Sequence, residues 1–229
     1  MSDAMPTRGQ VASVADPLGW RLILGALITH VEVPSLTVAV QAAVTAVEVV
    51  GEEGDGHLSV DLHADRVVLY LHTLAAGRVT AHDLSLAPRI TAALAARSLV
   101  TRAGDGAVGP QAIEIAIDAL DIPAVRPFWQ AVTGYVDVPA LAEQLPDGAL
   151  CDPLRRGPTI WFQQMDAPRR QRNRIHIDVD VAPELAQPRI EAALAAGGTL
   201  LSADAAPAFW VLADPEGNEV CVCTWQGRD

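Results

Sequence analysis

Side chains that can bind metals or transfer protons recur at alternate positions in the second half of the chain. His176, Asp178 and Asp180 alternate with isoleucine and valine, and Glu219 and Cys221 alternate with valine near the C-terminus. Because alternate residues of a β-strand face opposite sides of the sheet, each apolar set is expected to pack on helices. The polar sets then share the opposite, open face, where imidazole, carboxylate and thiol groups can hold a divalent metal or a polar ligand.

The same pattern occurs earlier in the chain. The segment IEIAID, which begins at Ile113, matches IHIDVD, which begins at Ile175, and each is followed by an apolar helix that ends near a glycine. The isoleucines are expected to face helices, which leaves Glu114 on the open face, and alternation in TIWFQQ adds Trp161 and Gln163. Short strands close each copy, so the sequence predicts two βαβββ modules.

Three motifs of this half, DIPAVRPFWQAVTGY, RNRIHIDVDV and DPEGNEVCVC, resemble the glyoxalase-like domain of the vicinal oxygen chelate (glyoxalase/bleomycin resistance/dioxygenase) superfamily. The resemblance extends roughly from Val108 to Trp225. It implies a cup, formed by the open faces, that often holds a divalent metal. Carried over by motif, the ligands of that metal would be Glu114, Gln163, His176 and Cys221. Only the histidine has the residue type usual at its position, so no cofactor is expected, and zinc, iron or manganese is the alternative.

The resemblance also implies that the cup binds a small organic ligand. The candidate ligand-binding residues are Glu114, Trp161, Gln163, His176, Asp178, Trp210 and Glu219. Structural roles compete with these functional ones. His176 could be a hydrogen-bonded residue of a metal-free cup, Cys221 a small buried residue, and the two tryptophans ordinary core residues. The arginines between positions 169 and 174 form either a solvated loop or a surface that attracts an anionic substrate.

Residues 17–100 predict an α+β unit with helices over 36–50 and after Thr80, and strands within 22–33, 58–62 and 66–73. The segment GHLSVDLHADRVVLYLHTLAAGRVTAHDLSLAPRI resembles a degenerate pterin-4a-carbinolamine dehydratase domain. The tandem histidine pair of that family falls on Gly56 and His57, and its third histidine falls on Leu74. His57 is therefore the candidate catalytic residue that survives, and the resemblance implies the dehydratase fold without its activity. Three nearby histidines could substitute for the missing ones: His63, His72 and His82.

The predicted fold class is α+β: a dehydratase-like sheet domain followed by a glyoxalase-like domain of two βαβββ modules. The expected boundaries are a disordered lead-in over 1–16, the dehydratase-like domain over 17–100, a linker over 101–110 and the glyoxalase-like domain over 111–227. Three functions stay open. They are small-molecule binding without a catalytic metal, a metal-dependent lyase, isomerase or dioxygenase reaction, and 4a-hydroxytetrahydrobiopterin dehydratase activity with an accessory glyoxalase-like domain.

Charge and composition exclude several other classes. The net charge is -12, and all 16 basic residues are arginine. We therefore expect neither nucleic acid nor an anionic membrane as a partner, and lysine-based Schiff-base or phosphate-loop chemistry is ruled out. No apolar run reaches the ~18 residues of a membrane span, and an odd number of cysteines favours a reducing cytoplasm. The resemblance to the glyoxalase-like domain implies a bacterial protein. A homodimer through the N-terminal half is one option for assembly.

Overall fold

The computed structural model describes residues 6–104, 109–138, 148–168 and 175–227. Two compact units divide the chain, an N-terminal unit over 1–112 and a C-terminal unit over 113–229. The fold is mixed α/β, with three four-stranded sheets and five α-helices among the described residues. Within the same residues, no helix has both the length and the apolar character that crossing a membrane requires.

The N-terminal unit packs helices on one face of an antiparallel sheet with strand order β1-β2-β4-β3. Its elements are α1 (Arg8–Ala15), β1 (Arg21–Ile23), β2 (Ala26–Glu32), α2 (Leu36–Val50), β3 (Leu58–Leu62), β4 (Arg66–Leu71) and α3 (Ala81–Ala95). The predicted helices are confirmed, and the Ser35 hydroxyl accepts a hydrogen bond from the Val38 amide at the start of α2. The strand expected within 22–33 is a hairpin instead, because Leu24 and Gly25 both have positive φ angles, of 43° and 79°.

A disordered lead-in was expected over residues 1–16, but Arg8–Ala15 form helix α1, and residues 1–5 lie outside the described residues. Thr7 and Gln10 form a capping box at its start, in which each side chain accepts a hydrogen bond from the backbone amide of the other residue. Val11 and Ala15 are buried in the core of the N-terminal unit. Burial of these two small side chains, together with the cap, offsets the entropic cost of ordering a short helix.

The start of the expected linker, residues 101–110, is bound to the N-terminal unit. His30 of β2 and Arg102 exchange backbone hydrogen bonds of 3.0 and 2.8 Å. Arg102 therefore pairs with the part of β2 that follows its pairing with β1. The Thr101 hydroxyl donates a hydrogen bond of 2.7 Å to the Leu18 carbonyl. These backbone contacts hold the chain against the N-terminal unit as far as Arg102.

The C-terminal unit contains two modules with the same element order and the same sheet topology. The first consists of β5 (Glu114–Ala119), α4 (Ile122–Thr133), β6 (Val136–Asp137), β7 (Leu150–Cys151) and β8 (Thr159–Gln164). The second consists of β9 (Ile177–Asp180), α5 (Pro183–Ala195), β10 (Thr199–Ser202), β11 (Phe209–Ala213) and β12 (Glu219–Cys223). The strand orders are β5-β8-β7-β6 and β9-β12-β11-β10. In each sheet the strands that come first and last along the chain are neighbours and run parallel, β5 with β8 and β9 with β12. The predicted pair of βαβββ modules is confirmed.

One buried carboxylate joins the two modules. Asp214, in the turn between β11 and β12, accepts a hydrogen bond of 3.0 Å from the Trp129 indole of α4. It also accepts hydrogen bonds from the backbone amides of Glu216 and Asn218, each of 2.9 Å. The carboxylate of Glu216 in turn accepts a hydrogen bond of 2.9 Å from the Leu120 amide after β5. The DPEGN motif therefore holds the start of α4 as well as its own turn.

Candidate functional site

The apolar and polar faces of the strands in the C-terminal unit are separated by alternation. Ile160 and Phe162 of β8 are buried in the helix-facing core, whereas Trp161 and Gln163 are exposed. Val220 and Val222 of β12 are fully buried in the same core. We call the sides that carry Trp161 and Cys221 the open faces of the first and second sheet. Their predicted orientation is confirmed for these strands.

Two predicted orientations fail at the ends of strands. Ile113 and Ile175 were expected to face the helices, but their side chains are 66% and 82% exposed. Each residue precedes the first hydrogen-bonded residue of its strand, β5 or β9, so the sheet does not hold its side chain against the core. His176 also lies just before β9, so the pairing of β9 with β12 does not by itself fix the position of its side chain.

The predicted placement of Trp210 on the open face is wrong. Trp210 pairs with Val222 in the β11–β12 ladder and packs against the helix-facing core, as does Leu212 two residues later. Phe209 and Val211 take the open face instead, beside Cys223 and Cys221. Trp210 therefore acts as a structural residue on the opposite side of the sheet.

A histidine, an aspartate and a cysteine meet on the open face of the second sheet. Asp178 lies directly beside Cys221 in the parallel β9–β12 ladder. The His176 Nε2 atom is 3.3 Å from Asp178 Oδ1, and ligand atoms of all three residues lie within 4.8 Å of one another. Glu219 is half-buried on the same strand face as Cys221. An ion pair of Glu219 with Arg172 or Arg174 is a further expectation from the sequence, and both arginines lie outside the described residues.

The thiol of Cys221 is held in its protonated form. Burial is the main cause that raises its pKa to about 11, and the charge of Asp178 is the next. Cys223, a hydrogen bond with Asp178 and the charge of Glu219 raise the pKa further. Because a neutral thiol is a poor metal ligand, the residues around Cys221 oppose its use as one near neutral pH.

Polar groups and one tryptophan share the open face of the first sheet. In the parallel β5–β8 ladder, Glu114 lies beside Thr159, Ala116 beside Trp161, and Asp118 beside Gln163. Gln163 thus neighbours Asp118, and Glu114 lies about 13 Å further back along the strand at ~3.3 Å per residue. Asp118 and Gln163 also line a cavity of about 640 Å³ together with Gln164 and Met165.

The side chains do not fit the four-ligand metal site that the resemblance implies. His176 and Cys221 are brought together, but the third member of their group is Asp178, and among the described residues Glu114 is outside it. The imidazole and the carboxylate are 59% and 52% exposed, and the thiol is protonated at neutral pH. A tight divalent site needs three or four donors fixed by further hydrogen bonds, and this group supplies three, two of them exposed.

His57, the predicted catalytic residue of the N-terminal unit, is hydrogen-bonded to a buried carboxylate. His57 Nδ1 is 2.8 Å from Asp83 Oδ1, and the Asp83 side chain is fully buried. Thr73 and Thr80 donate hydrogen bonds of 2.8 Å from a hydroxyl and 2.7 Å from a backbone amide to Asp83 Oδ2. The carboxylate therefore fixes the orientation of the His57 ring, which leaves Nε2 for other partners. The sequence indicated Asp83 only as part of the start of α3.

Gly56 and Leu74, the two positions to which the suggested resemblance assigns histidines, lie beside His57. The Leu74 amide donates a hydrogen bond of 2.9 Å to the Gly56 carbonyl, which brings both positions next to the His57–Asp83 pair. The ring of His82 meets that of His57 edge to face, with centroids 4.5 Å apart. Of the three suggested substitutes, His82 meets the His57 ring and the His72 amide donates a hydrogen bond of 3.0 Å to the His57 carbonyl, whereas His63 is exposed just after β3.

A second cavity, of about 880 Å³, lies in the N-terminal unit. None of the predicted site residues lines it. It is lined by Arg21, Arg66 and Arg102, whose guanidinium groups lie 3.4, 3.5 and 3.8 Å from carboxylates of neighbouring residues. These weak, exposed ion pairs give the cavity no net charge that would select a ligand.

Residues 114–223 match a family model described as a glyoxalase-like domain. This part of the chain, slightly less than half of the sequence, is therefore a glyoxalase-like domain. None of the curated proteins compared with the chain matches it significantly.

Several solved structures are similar to part of the chain. A glyoxalase/bleomycin resistance protein/dioxygenase family enzyme from Burkholderia phytofirmans PsJN is 22% identical over 48% of this chain and 95% of its own, with a TM-score of 0.35. A glyoxalase/dioxygenase from Nostoc punctiforme is 16% identical over 48% and 88%, with a TM-score of 0.37. Lactoylglutathione lyase from Agrobacterium tumefaciens is 18% identical over 51% and 95%, with a TM-score of 0.33.

Replacing Asp178 with asparagine should make Cys221 more reactive. The substitution removes the charge that, after burial, does most to raise the pKa of the thiol, so the thiolate fraction at a given pH should increase. We expect alkylation of Cys221 by iodoacetamide at pH 8, followed by peptide mass spectrometry, to be several-fold faster in Asp178→Asn. Glu219→Gln is the matched control, because the Glu219 charge contributes least, and its effect should be smaller. Equal rates in the wild type and Asp178→Asn would show that Asp178 does not hold the thiol protonated.

Proposed function

We propose that the glyoxalase-like domain binds a small organic ligand on the open faces of its sheets, without a catalytic metal. The observation that carries this proposal is Trp161, which is 36% exposed although both of its neighbours in β8 are buried. A tryptophan held outward from the middle of a strand provides a rigid apolar surface for a ligand, and polar groups on the same face can orient it.

The other open-face residues support the same function. Asp118 and Gln163 border the cavity of about 640 Å³, and hydrogen-bonding groups of this kind determine which polar ligands fit. On the second sheet, His176, Asp178 and Glu219 surround a protonated thiol, so that face is polar without being suited to a tight metal site. Small-molecule binding requires no more than these groups.

A fragment screen followed by nuclear magnetic resonance tests the ligand-binding function. We expect at least one fragment from a library of neutral, cationic and anionic compounds to shift the indole signal of Trp161, identified by its absence in Trp161→Phe. The affinity should fall by about tenfold or more in Trp161→Ala, since buried aromatic contact with a ligand is worth about 1–3 kcal/mol. Trp225→Ala is the matched control, because Trp225 is 67% exposed and lies beyond β12. A library without any fragment that binds to the open faces would contradict the proposal.

The alternative is a metal-dependent lyase, isomerase or dioxygenase, which the grouping of His176, Asp178 and Cys221 favours. Elemental analysis of the full chain, purified without chelator or an affinity metal, separates the two functions. We expect far less than one equivalent of zinc, iron or manganese, because the three donors are exposed or protonated. Near one equivalent of metal that is lost in His176→Ala, and retained in His63→Ala, would replace the proposed function with the metalloenzyme.

For the N-terminal unit we propose a dehydratase-like fold that lacks dehydratase activity. Dehydration of a carbinolamine needs positioned acid and base groups, and Gly56 and Leu74 have no side chain that transfers a proton. The hydrogen bond between their backbones supports the assignment of both positions to the neighbourhood of His57. The retained unit then serves in dimerisation or in binding a small molecule.

An assay of the full chain with a 4a-hydroxytetrahydropterin tests this second proposal. The rate of dehydration should not exceed the uncatalysed rate, since only one of the three histidines of the family is present. His57→Ala and His63→Ala should therefore give the same rate as the wild type. Turnover that disappears in His57→Ala but persists in His63→Ala would instead assign 4a-hydroxytetrahydrobiopterin dehydratase activity to this unit, with His82 as the second proton-transferring group.

A further inference from the structure

We infer that the outward face of helices α2 and α3 is an interface with a second copy of this chain. This surface is different from the proposed ligand-binding site, and the inference depends neither on that function nor on the resemblance to the dehydratases. Both helices lie wholly within the described residues.

An apolar stripe runs along the side of α2 that is opposite the core. Leu36, Val40, Val44 and Val47 recur every three or four positions, so they share one side of the helix, and each is between 44% and 53% exposed. The other side of α2 is buried in the core of the N-terminal unit. A helix that is apolar on both sides is normally covered on both sides.

Helix α3 continues this surface with small side chains. Its exposed residues also recur every three or four positions and form a second stripe: Ala81, Ser85, Pro88, Ala92 and Ala95. The Arg89 guanidinium of α3 donates a hydrogen bond of 2.7 Å to the Val49 carbonyl of α2, which holds the two helices side by side. A row of valines beside a row of small residues forms a ridge next to a groove, and helices pack on each other through such ridges and grooves.

Charged residues are sparse on these two helices, which contain only Glu48, Asp83 and Arg89. Asp83 is buried beside His57, and Arg89 donates a hydrogen bond to the carboxylate of Glu53. A solvated protein surface usually carries about 25–35% charged side chains. The outward face of α2 and α3 therefore has the composition of the centre of an interface, where charged residues are depleted.

The order of the apolar residues along α2 indicates that the occupant is a second copy. The stripe is nearly symmetric about Ala42, because Val40 and Val44 lie at equal distances on either side of it, and Leu36 and Val47 at similar ones. A two-fold axis at this point pairs two antiparallel α2 helices. Val40 then meets Val44 of the second copy, and Leu36 meets Val47, so each apolar side chain of the stripe is covered by another.

The charge of α2 fits the same arrangement. Glu48 lies near the C-terminal end of the helix, and the first turn contains no acidic residue. In the antiparallel pair, Glu48 of each copy lies at the N-terminus of the other α2, where the helix dipole favours negative charge. A parallel pair would instead bring two Glu48 carboxylates together, in a chain whose net charge is already -12.

The size of the surface predicts a weak dimer. Each helix has 15 residues and is therefore about 22 Å long, and with a width of about 10 Å per helix the face measures about 440 Å² in projection. A standard interface buries about 800 Å² on each partner. We therefore expect a dimer that dissociates on dilution to micromolar concentrations.

Sedimentation velocity of the full chain over a series of concentrations tests the inference. We expect a shift from monomer to dimer as the concentration rises. Val44→Asp should weaken the dimer by at least about tenfold, because it buries one carboxylate from each copy near the axis without a partner. Val14→Asp is the matched control, since Val14 is a helical valine on α1 with a similar exposure of 43%, and it should leave the dimer unchanged.

Two further variants separate the interface from a loss of folding and from a parallel arrangement. Ala92→Asp changes a side chain that is exposed in the single chain, so it should keep the wild-type unfolding temperature while it weakens the dimer. Glu48→Gln should weaken the dimer about threefold at low salt, because it removes the attraction to the helix N-terminus of the other copy. A stronger dimer in Glu48→Gln would overturn the antiparallel arrangement.

Two results would overturn the interface as a whole. One is a full chain that remains monomeric up to the highest soluble concentration, and the other is a dimer that persists unchanged in both Val44→Asp and Ala92→Asp. Neither result bears on the ligand-binding function, which the fragment screen at Trp161 tests separately.

Discussion

The side chains on the open faces of the glyoxalase-like domain are held outward by the burial of their immediate neighbours in each strand. Ile160 and Phe162 are 2% and 8% exposed, and the free energy of burying them fixes the orientation of Trp161 between them. Val220 and Val222 fix the orientation of Cys221 in the same way. A shift of one residue in either ladder would expose these apolar pairs and bury the polar set, so the core and the candidate site depend on the same register.

This dependence explains which parts of the site could be predicted from the sequence. Where apolar and polar residues alternate, as in TIWFQQ, the sequence alone predicts which side chains face outward, and the structure confirms it. In EVCVC the alternation predicts which residues share a strand face, although Cys221 and Cys223 are buried there. The segment FWVLA of β11 is apolar throughout, so it contains no such signal. There the pairing of Trp210 with Val222 decides the orientation, and that pairing is a tertiary contact. The predicted orientation of Ile113 and Ile175 is wrong for a related reason. Both residues lie outside the hydrogen-bonded strands, where alternation does not determine which way a side chain faces.

The N-terminal unit shows a different limit to sequence analysis. Thr80 and Asp83 form a capping box, so the start of α3 could be predicted from local sequence. The second role of Asp83, as the partner of His57, joins residues 26 positions apart and requires the fold to bring β3 and α3 together. The resemblance to the dehydratases identified His57, but the carboxylate that orients its ring became evident only from the packing. A short polar motif at a helix start can thus stabilise the helix and position a distant side chain at once.

Negative charge on the open faces has opposite consequences for metals and for organic cations. A thiol ligand must lose its proton, and the charge of Asp178 beside Cys221 raises the pKa of that thiol and so opposes the loss. An organic cation needs no such deprotonation, and every nearby carboxylate lowers its electrostatic energy. On the first sheet, Glu114 and Asp118 lie in strands that contain neither cysteine nor histidine, so their ladder supplies no thiol or imidazole ligand for a metal. The carboxylates around Cys221 therefore favour its neutral thiol over a thiolate.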